Sequence, residues 1–242
     1  MDYAEMSNVG NKREVNQDAI YAMSRGEIGL YVVADGMGGY EQGDKASKSI
    51  VDRMEGWWNG FSGAKYENDF KKMVHSLQQA LEQANRDIFY QYNQGAVCGS
   101  TVVVLFCWKE LYAILYVGDS RVYRYREHKF RQLTIDEVWE NQADLTEEEK
   151  KKNWKIYNGK LLNAVGIRDQ LQCRVITDQI NQEEIFLLCS DGLYKYCAEK
   201  QIRKYMRKAQ KGGKLHKCCE ALMKKTLAGE AKDNISIIII RF

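Results

Sequence analysis

The chain has 242 residues, 45% of them hydrophobic and 29% charged, with a formal net charge of +3. These proportions suit a folded globular protein and argue against extensive disorder, and so small a net charge points away from nucleic-acid binding. The opening MDYAEMSNVGNKREVNQD has no basic region followed by an apolar stretch, and no window reaches the roughly 18 apolar residues of a spanning helix, so a cytoplasmic protein without membrane insertion is expected.

In chain order, the first expected strand covers 29–34, where the β-branched and aromatic run IGLYVVAD stops at Asp35. Helices are expected over roughly 41–57 and 67–92. In the second, Phe70, Met73, Val74, Leu77, Leu81, Ala84 and Ile88 recur at three- and four-residue spacings and make one apolar face. Strands follow at 100–108, 111–117, 121–125 and 185–189, then helices at 199–209 and 214–228 split by Gly212-Gly213, then a strand at 235–241. The closing IIII run is only a few residues long and reads as a core strand. This order lacks the regular alternation of a doubly wound parallel sheet; packed antiparallel sheets flanked by helices, an α+β arrangement, fit it better. No composition break marks a boundary, so the chain reads as a single domain over 1–242, although length alone allows two.

The chemistry is carried by aspartates in five motifs, VNQDA with Asp18, VADGMGG with Asp35, VGDSR with Asp119, LCSDG with Asp191 and KDNIS with Asp233, of which Asp35, Asp119 and Asp191 sit where the apolar runs IGLYVVAD, YAILYVGD and EEIFLLCSD stop. Strands ending this way would carry their carboxylates out of the core at one edge. Aspartates without a matching His or Cys set select hard cations such as Mg²⁺ and Mn²⁺. The three histidines, His75, His128 and His216, lie away from every one of these motifs. Asp-Gly is also the ordinary way to end a strand in a turn, so each motif alone has a plainer reading.

As an ordered set the motifs resemble the metal-dependent protein serine/threonine phosphatases of the PP2C (PPM) family, in particular the compact bacterial type, over nearly the whole chain. The resemblance implies a four-layer αββα sandwich and hydrolysis of phosphoserine and phosphothreonine by a metal-activated water. It implies that Arg13 binds the substrate phosphate, that Asp18 holds metal-bound water, and that Asp35 bridges two Mn²⁺ or Mg²⁺ ions with Gly36 lending its carbonyl. Asp191 and Asp233 then complete the second ion, Asn234 completes the Asp-Asn pair, and Asp119 with Asp191 helps hold a third, weaker ion. Ser100 and Thr101 in GSTVVV read as structural. Phosphorylated proteins and a cognate serine/threonine kinase are the implied partners, and a monomer is expected.

The chain departs from the family pattern twice. Met37 stands where many eukaryotic members have a histidine proposed to protonate the leaving group, as in bacterial relatives. Asp136-Glu137-Val138 stands where Asp-His-Ser is common, at the start of a flap segment over about 137–166 that bears on substrate choice. The run TEEEKKKNW within it reads as a solvated helix turn.

Seven cysteines form no CxxC pair and several fall in apolar strands, which suits reduced thiols; Cys218 and Cys219 are expected on a helix, one buried and one partly exposed. Proline is absent, so turns rely on Gly, Asn and Asp. The stretch from Lys200 to Lys225 holds ten Lys or Arg, but interleaved Ile202, Tyr205, Leu215 and Leu222 mark solvated faces of amphipathic helices. Two other functions remain open from sequence: a catalytically weak module of the same fold that binds phosphoproteins, and a metal-dependent nuclease, which lacks a basic groove signature here.

Overall fold

The run GSTVVVLFCW offers no polar face, so a strand built from it must be covered on both sides. In the computed structural model, which describes residues 1–38, 42–92 and 97–242, it forms β4 (Gly99–Trp108) and is buried along its whole length. Its side chains alternate between two environments, as the period of a strand requires. Val102, Val104 and Phe106 pack under helices, while Val103, Leu105 and Cys107 face a second sheet.

The sheet around β4 adds β2 (Asp18–Arg25), β3 (Ile28–Met37), β5 (Leu111–Val117) and β8 (Arg174–Gln179), in the order β2-β3-β4-β5-β8. The other sheet contains β1 (Asp2–Asn8), β6 (Arg121–Arg126), β7 (Lys129–Gln132), β9 (Ile185–Cys189) and β10 (Ile235–Arg241), in the order β1-β10-β9-β6-β7. Every pairing is antiparallel. Ile238 and Ile240 of β10 enter the layer between the sheets, and Ile235, Ile237 and Ile239 pack under helices on the other side.

Helices α1 (Gly43–Asn59) and α2 (Phe70–Tyr92) cover the first sheet; α5 (Glu199–Gln210) and α6 (Leu215–Leu227) cover the second. The result is the expected αββα stack. The face foreseen on α2 is the buried one, and the helix starts three residues later than expected because the Asp69 carboxylate accepts from the Lys71 and Lys72 amides and caps it. Gly39 of VADGMGG and Glu41, the first residue of the first expected helix, lie outside the described residues. Cys218 and Cys219 are both fully buried, contrary to the expectation of one exposed thiol. Wedged among α5, β1 and β10, α6 buries a stripe wide enough for adjacent residues.

The segment expected as a flap, about 137–166, contains α3 (Glu147–Tyr157), which buries none of its residues and is opened by a reciprocal Thr146–Glu149 capping box. Its root is closed by bridges from Val138 to Leu161 and from Ser100 to Val165. Among the described residues, no helix is long and apolar enough to cross a membrane.

Candidate metal centre

The strands deliver their acids to one end of the stack. Asp18, the first residue of β2, pairs in register with Asp35 near the end of β3, and Asp35 pairs in turn with Thr101 of β4. From the other sheet, β9 ends at Cys189 and Asp191 opens the single turn α4 (Asp191–Tyr194), while Asp233 immediately precedes Asn234 and β10. Two glycines permit this approach. A side chain at Gly36 would overlap the Gly43 carbonyl at the start of α1, and one at Gly192 would overlap the Asn234 carbonyl.

Asn234 is the clamp that joins these loops. Its amide donates to the carbonyls of Val9 and Val15 at 2.9 and 3.0 Å, and its oxygen accepts from the Gln17 amide at 2.8 Å. The segment carrying Arg13 and Asp18 is thereby fastened beside Asp233. Gln17 passes the link on: its carbonyl accepts from the Gly36 amide at 3.0 Å and the Ser47 hydroxyl at 2.6 Å.

The floor of the site is Asp18 and Asp35. Asp18 is buried and its Oδ2 accepts from the Ser190 hydroxyl at 2.7 Å, while its Oδ1 has no hydrogen-bond partner. Burial pushes its pKa up to about 7; the Ser190 and Ser236 bonds oppose this, and Asp191 and Asp233 add to it. Asp35 keeps a solvent-facing edge but is hemmed in by protein atoms, and desolvation followed by the charges of Asp18, Asp191, Asp119 and Asp233 raises it well above the carboxylate range. Four acids around a fifth is an arrangement that repels itself unless cations are supplied.

At the rim, the chain supplies its own. Arg13 holds Asp233 with a fork, Nη2 to Oδ2 and Nε to Oδ1, both at 3.0 Å, and keeps half of its side chain exposed. Lys195 bonds to Asp191 Oδ2 and lies 3.8 Å from Asp119 Oδ2. Burial works against the Lys195 ammonium, but Asp191, with Asp119 and Asp35 behind it, holds its pKa above the usual lysine range. Asp119 is raised to about 6, by burial first and Asp191 second. Asp191 Oδ1, like Asp18 Oδ1, is buried and unpartnered.

These two orphaned oxygens, in a donor set made only of carboxylates and carbonyls, fit hard divalent ions. Among the described residues, no three His, Cys, Asp or Glu groups close on one point at ligand spacing; the rim acids are drawn to Lys195 and Arg13. The structure brings together all of Arg13, Asp18, Asp35, Gly36, Asp119, Asp191 and Asp233. It leaves the histidines elsewhere: His75 in α2, His128 in the turn between β6 and β7, and His216 in α6.

Sequence reasoning missed the groups that position this set. Lys195 follows Asp191 by four residues, a spacing that announces a helical ion pair. Tyr194 donates from its hydroxyl to the carbonyl and Oδ2 of Asp119, both at 3.1 Å, and its ring lies 3.4 Å from the Arg121 guanidinium, which forks onto Asp136. Glu137 accepts from the Gly118 amide at 2.9 Å, Asn163 at 2.8 Å and Arg174 at 2.8 Å, tying the flap root to the loop of Asp119 and to β8. Only contacts remote in sequence reveal that role. Thr101 and Ser120 share a buried hydroxyl bond of 2.7 Å, the structural part expected of Thr101.

Two antiparallel sheets inside two helical layers, with aspartates gathered where strands of both sheets end, define a class of acid-lined sandwich suited to divalent ions. The model of the protein phosphatase 2C family matches residues 10–228, and the chain belongs to that family. The serine/threonine phosphatase stp of Listeria monocytogenes is 25% identical over 217 residues, covering 87% of this chain and 83% of that one. Among solved structures, PppA of Pseudomonas aeruginosa superposes with a TM-score of 0.82 at 29% identity, covering 99% of this chain and 96% of its own. The catalytic domain of the serine/threonine phosphatase PstP, solved with two manganese ions, superposes at 0.79 over 98% of this chain and 96% of its own, and at 22% identity shows the shared fold.

Proposed function

We propose that this chain is a metal-dependent protein phosphatase that hydrolyses phosphoserine and phosphothreonine. The observation that carries the reading is the facing pair Asp18 and Asp35, joined by Asp191 from the opposite sheet, with unpartnered buried oxygens on Asp18 and Asp191. Asp18, Asp35, Asp191 and Asp233, with the Gly36 carbonyl, would hold two Mn²⁺ or Mg²⁺ ions. Such ions lower the pKa of bound water and neutralise charge that develops on a transferring phosphoryl group.

The remaining work falls to side chains. Arg13 stands at the open rim, and its planar fork, which grips Asp233, has the geometry to grip two phosphate oxygens. Ser190 and the backbone pairing of β2 with β3 hold the Asp18 carboxylate at the floor. Glu137 ties the start of the segment to the loop of Asp119, and the exposed α3 would offer a surface for the polypeptide around the phosphorylated residue. We read residues 1–242 as one domain with a flap at 137–166, working as a cytoplasmic monomer on proteins phosphorylated by a serine/threonine kinase.

Phosphate release from a phosphothreonine peptide, with and without Mn²⁺ and beside an Asp191→Asn variant, tests the proposal. Metal-dependent turnover that the variant loses supports it. Metal binding without turnover would make the chain a phosphoprotein-binding regulator instead.

A further inference from the structure

We propose that the Lys195 ammonium occupies the place of a third ion, so that this chain binds two divalent ions where Asp119 and Asp191 would otherwise recruit another. The inference rests on the metal-dependent reading above and concerns what this chain's own residues do at the edge of that centre.

Lysine four residues after aspartate is usually an exposed pair of little consequence. Here the ammonium lies between two carboxylates, Asp191 by direct bond and Asp119 at 3.8 Å, and their side chains are only 13% and 10% exposed. The backbone sets the two side chains on one face, since the Lys195 amide closes the single turn of α4 on the Asp191 carbonyl at 2.9 Å. Asp119 Oδ2 is also held by the Tyr194 hydroxyl, and Tyr194 is fixed beneath Arg121, itself forked onto Asp136. The oxygens that face this position are therefore supplied with donors from the chain. Those without partners, Asp18 Oδ1 and Asp191 Oδ1, belong to the two-ion centre. A divalent ion between Asp119 and Asp191 would have to displace the ammonium or sit within a few ångströms of it, and like charges that close repel strongly in a partly buried site.

Equilibrium dialysis against Mn²⁺ up to millimolar concentration, with metal counted per chain by elemental analysis, tests this directly. The wild-type protein should saturate at two ions. Lys195→Gln should take a third, at least about tenfold more tightly than the wild type does. Lys195→Arg, which keeps the charge, should stay at two, and Lys195→Gln combined with Asp119→Asn should return to two. Lys195 is exposed enough for these variants to fold, and circular dichroism checks that they do. Three ions in the wild type, or only two in Lys195→Gln, would overturn the inference and leave the phosphatase reading standing. A wild-type protein that binds no Mn²⁺ would overturn both.

Discussion

The floor and the rim of the acid cluster are built from the same residue type and behave oppositely. At the rim, Asp233 is gripped by Arg13, and Asp191 and Asp119 share Lys195, so the chain itself supplies cations. At the floor, Asp18 and Asp35 face each other across a strand pair, Asp18 is bonded by a serine hydroxyl rather than a cation, and burial raises both pKa values. The difference teaches that function here is located by what the fold leaves uncompensated. A buried acid pair without a cation costs stability, and a protein that keeps one has a use for an external cation there.

The largest effect should come from breaking the floor. Asp35→Asn should lower metal-dependent hydrolysis of a phosphothreonine peptide at least about 1000-fold, the order expected from losing several kcal/mol of transition-state charge stabilisation. Next comes the response of the metal-free protein to pH. Asp18 binds its proton more tightly folded, with a pKa of about 7, than unfolded, near 3.8. Its contribution to stability is thus complete below pH 4 and lost as pH rises through 7, on the order of 4 kcal/mol. Thermal melts in EDTA between pH 4 and 8 should show this decline, and saturating Mn²⁺ should abolish it.

Smaller effects test the rim. Arg13→Lys keeps the charge but loses the fork, and should reduce kcat/KM for phosphopeptides about 10- to 100-fold without changing the number of Mn²⁺ ions bound. Glu137→Gln can keep one oxygen on Gly118 and Asn163 but turns an amide NH2 toward Arg174 and loses that bond, which should cost about 1 kcal/mol in thermal stability. Its kinetic mark should be a higher KM for phosphopeptides with little change toward p-nitrophenyl phosphate, because the flap root acts on the polypeptide and not on the phosphate.

Most of the fold was legible in the sequence, and the gaps have a common cause. The interior strands β3, β4, β5, β9 and β10 are marked by apolar runs, because a strand covered by neighbours and by layers on both faces has little use for polar side chains, whereas β6, RVYRYR, is marked by its β-branched and aromatic residues. The four strands left unread, β1, β2, β7 and β8, are the edges of the two sheets. Edge strands mix polar and apolar residues, as DYAEMSN and KFRQ do, and their identity comes from pairing with a partner far along the chain. The site divides the same way. Asp35, Asp119 and Asp191 were visible because each follows an apolar run and Asp18 and Asp233 because they complete the ordered set of motifs, whereas Glu137, Tyr194 and Lys195 gain their roles from contacts that only folding creates. The buried Cys218-Cys219 pair shows the reverse error, a helix whose neighbours cover more of it than its own pattern suggests.

Whether divalent ions complete the Asp18–Asp35 floor is decided by thermal unfolding at pH 7, comparing wild type and Asp35→Asn in EDTA and in saturating Mn²⁺. Mn²⁺ should raise the wild-type Tm by several degrees and leave Asp35→Asn almost unmoved, with the variant melting above the wild type in EDTA. A wild-type Tm indifferent to Mn²⁺, together with an Asp35→Asn variant that melts lower in EDTA, would contradict a floor completed by ions.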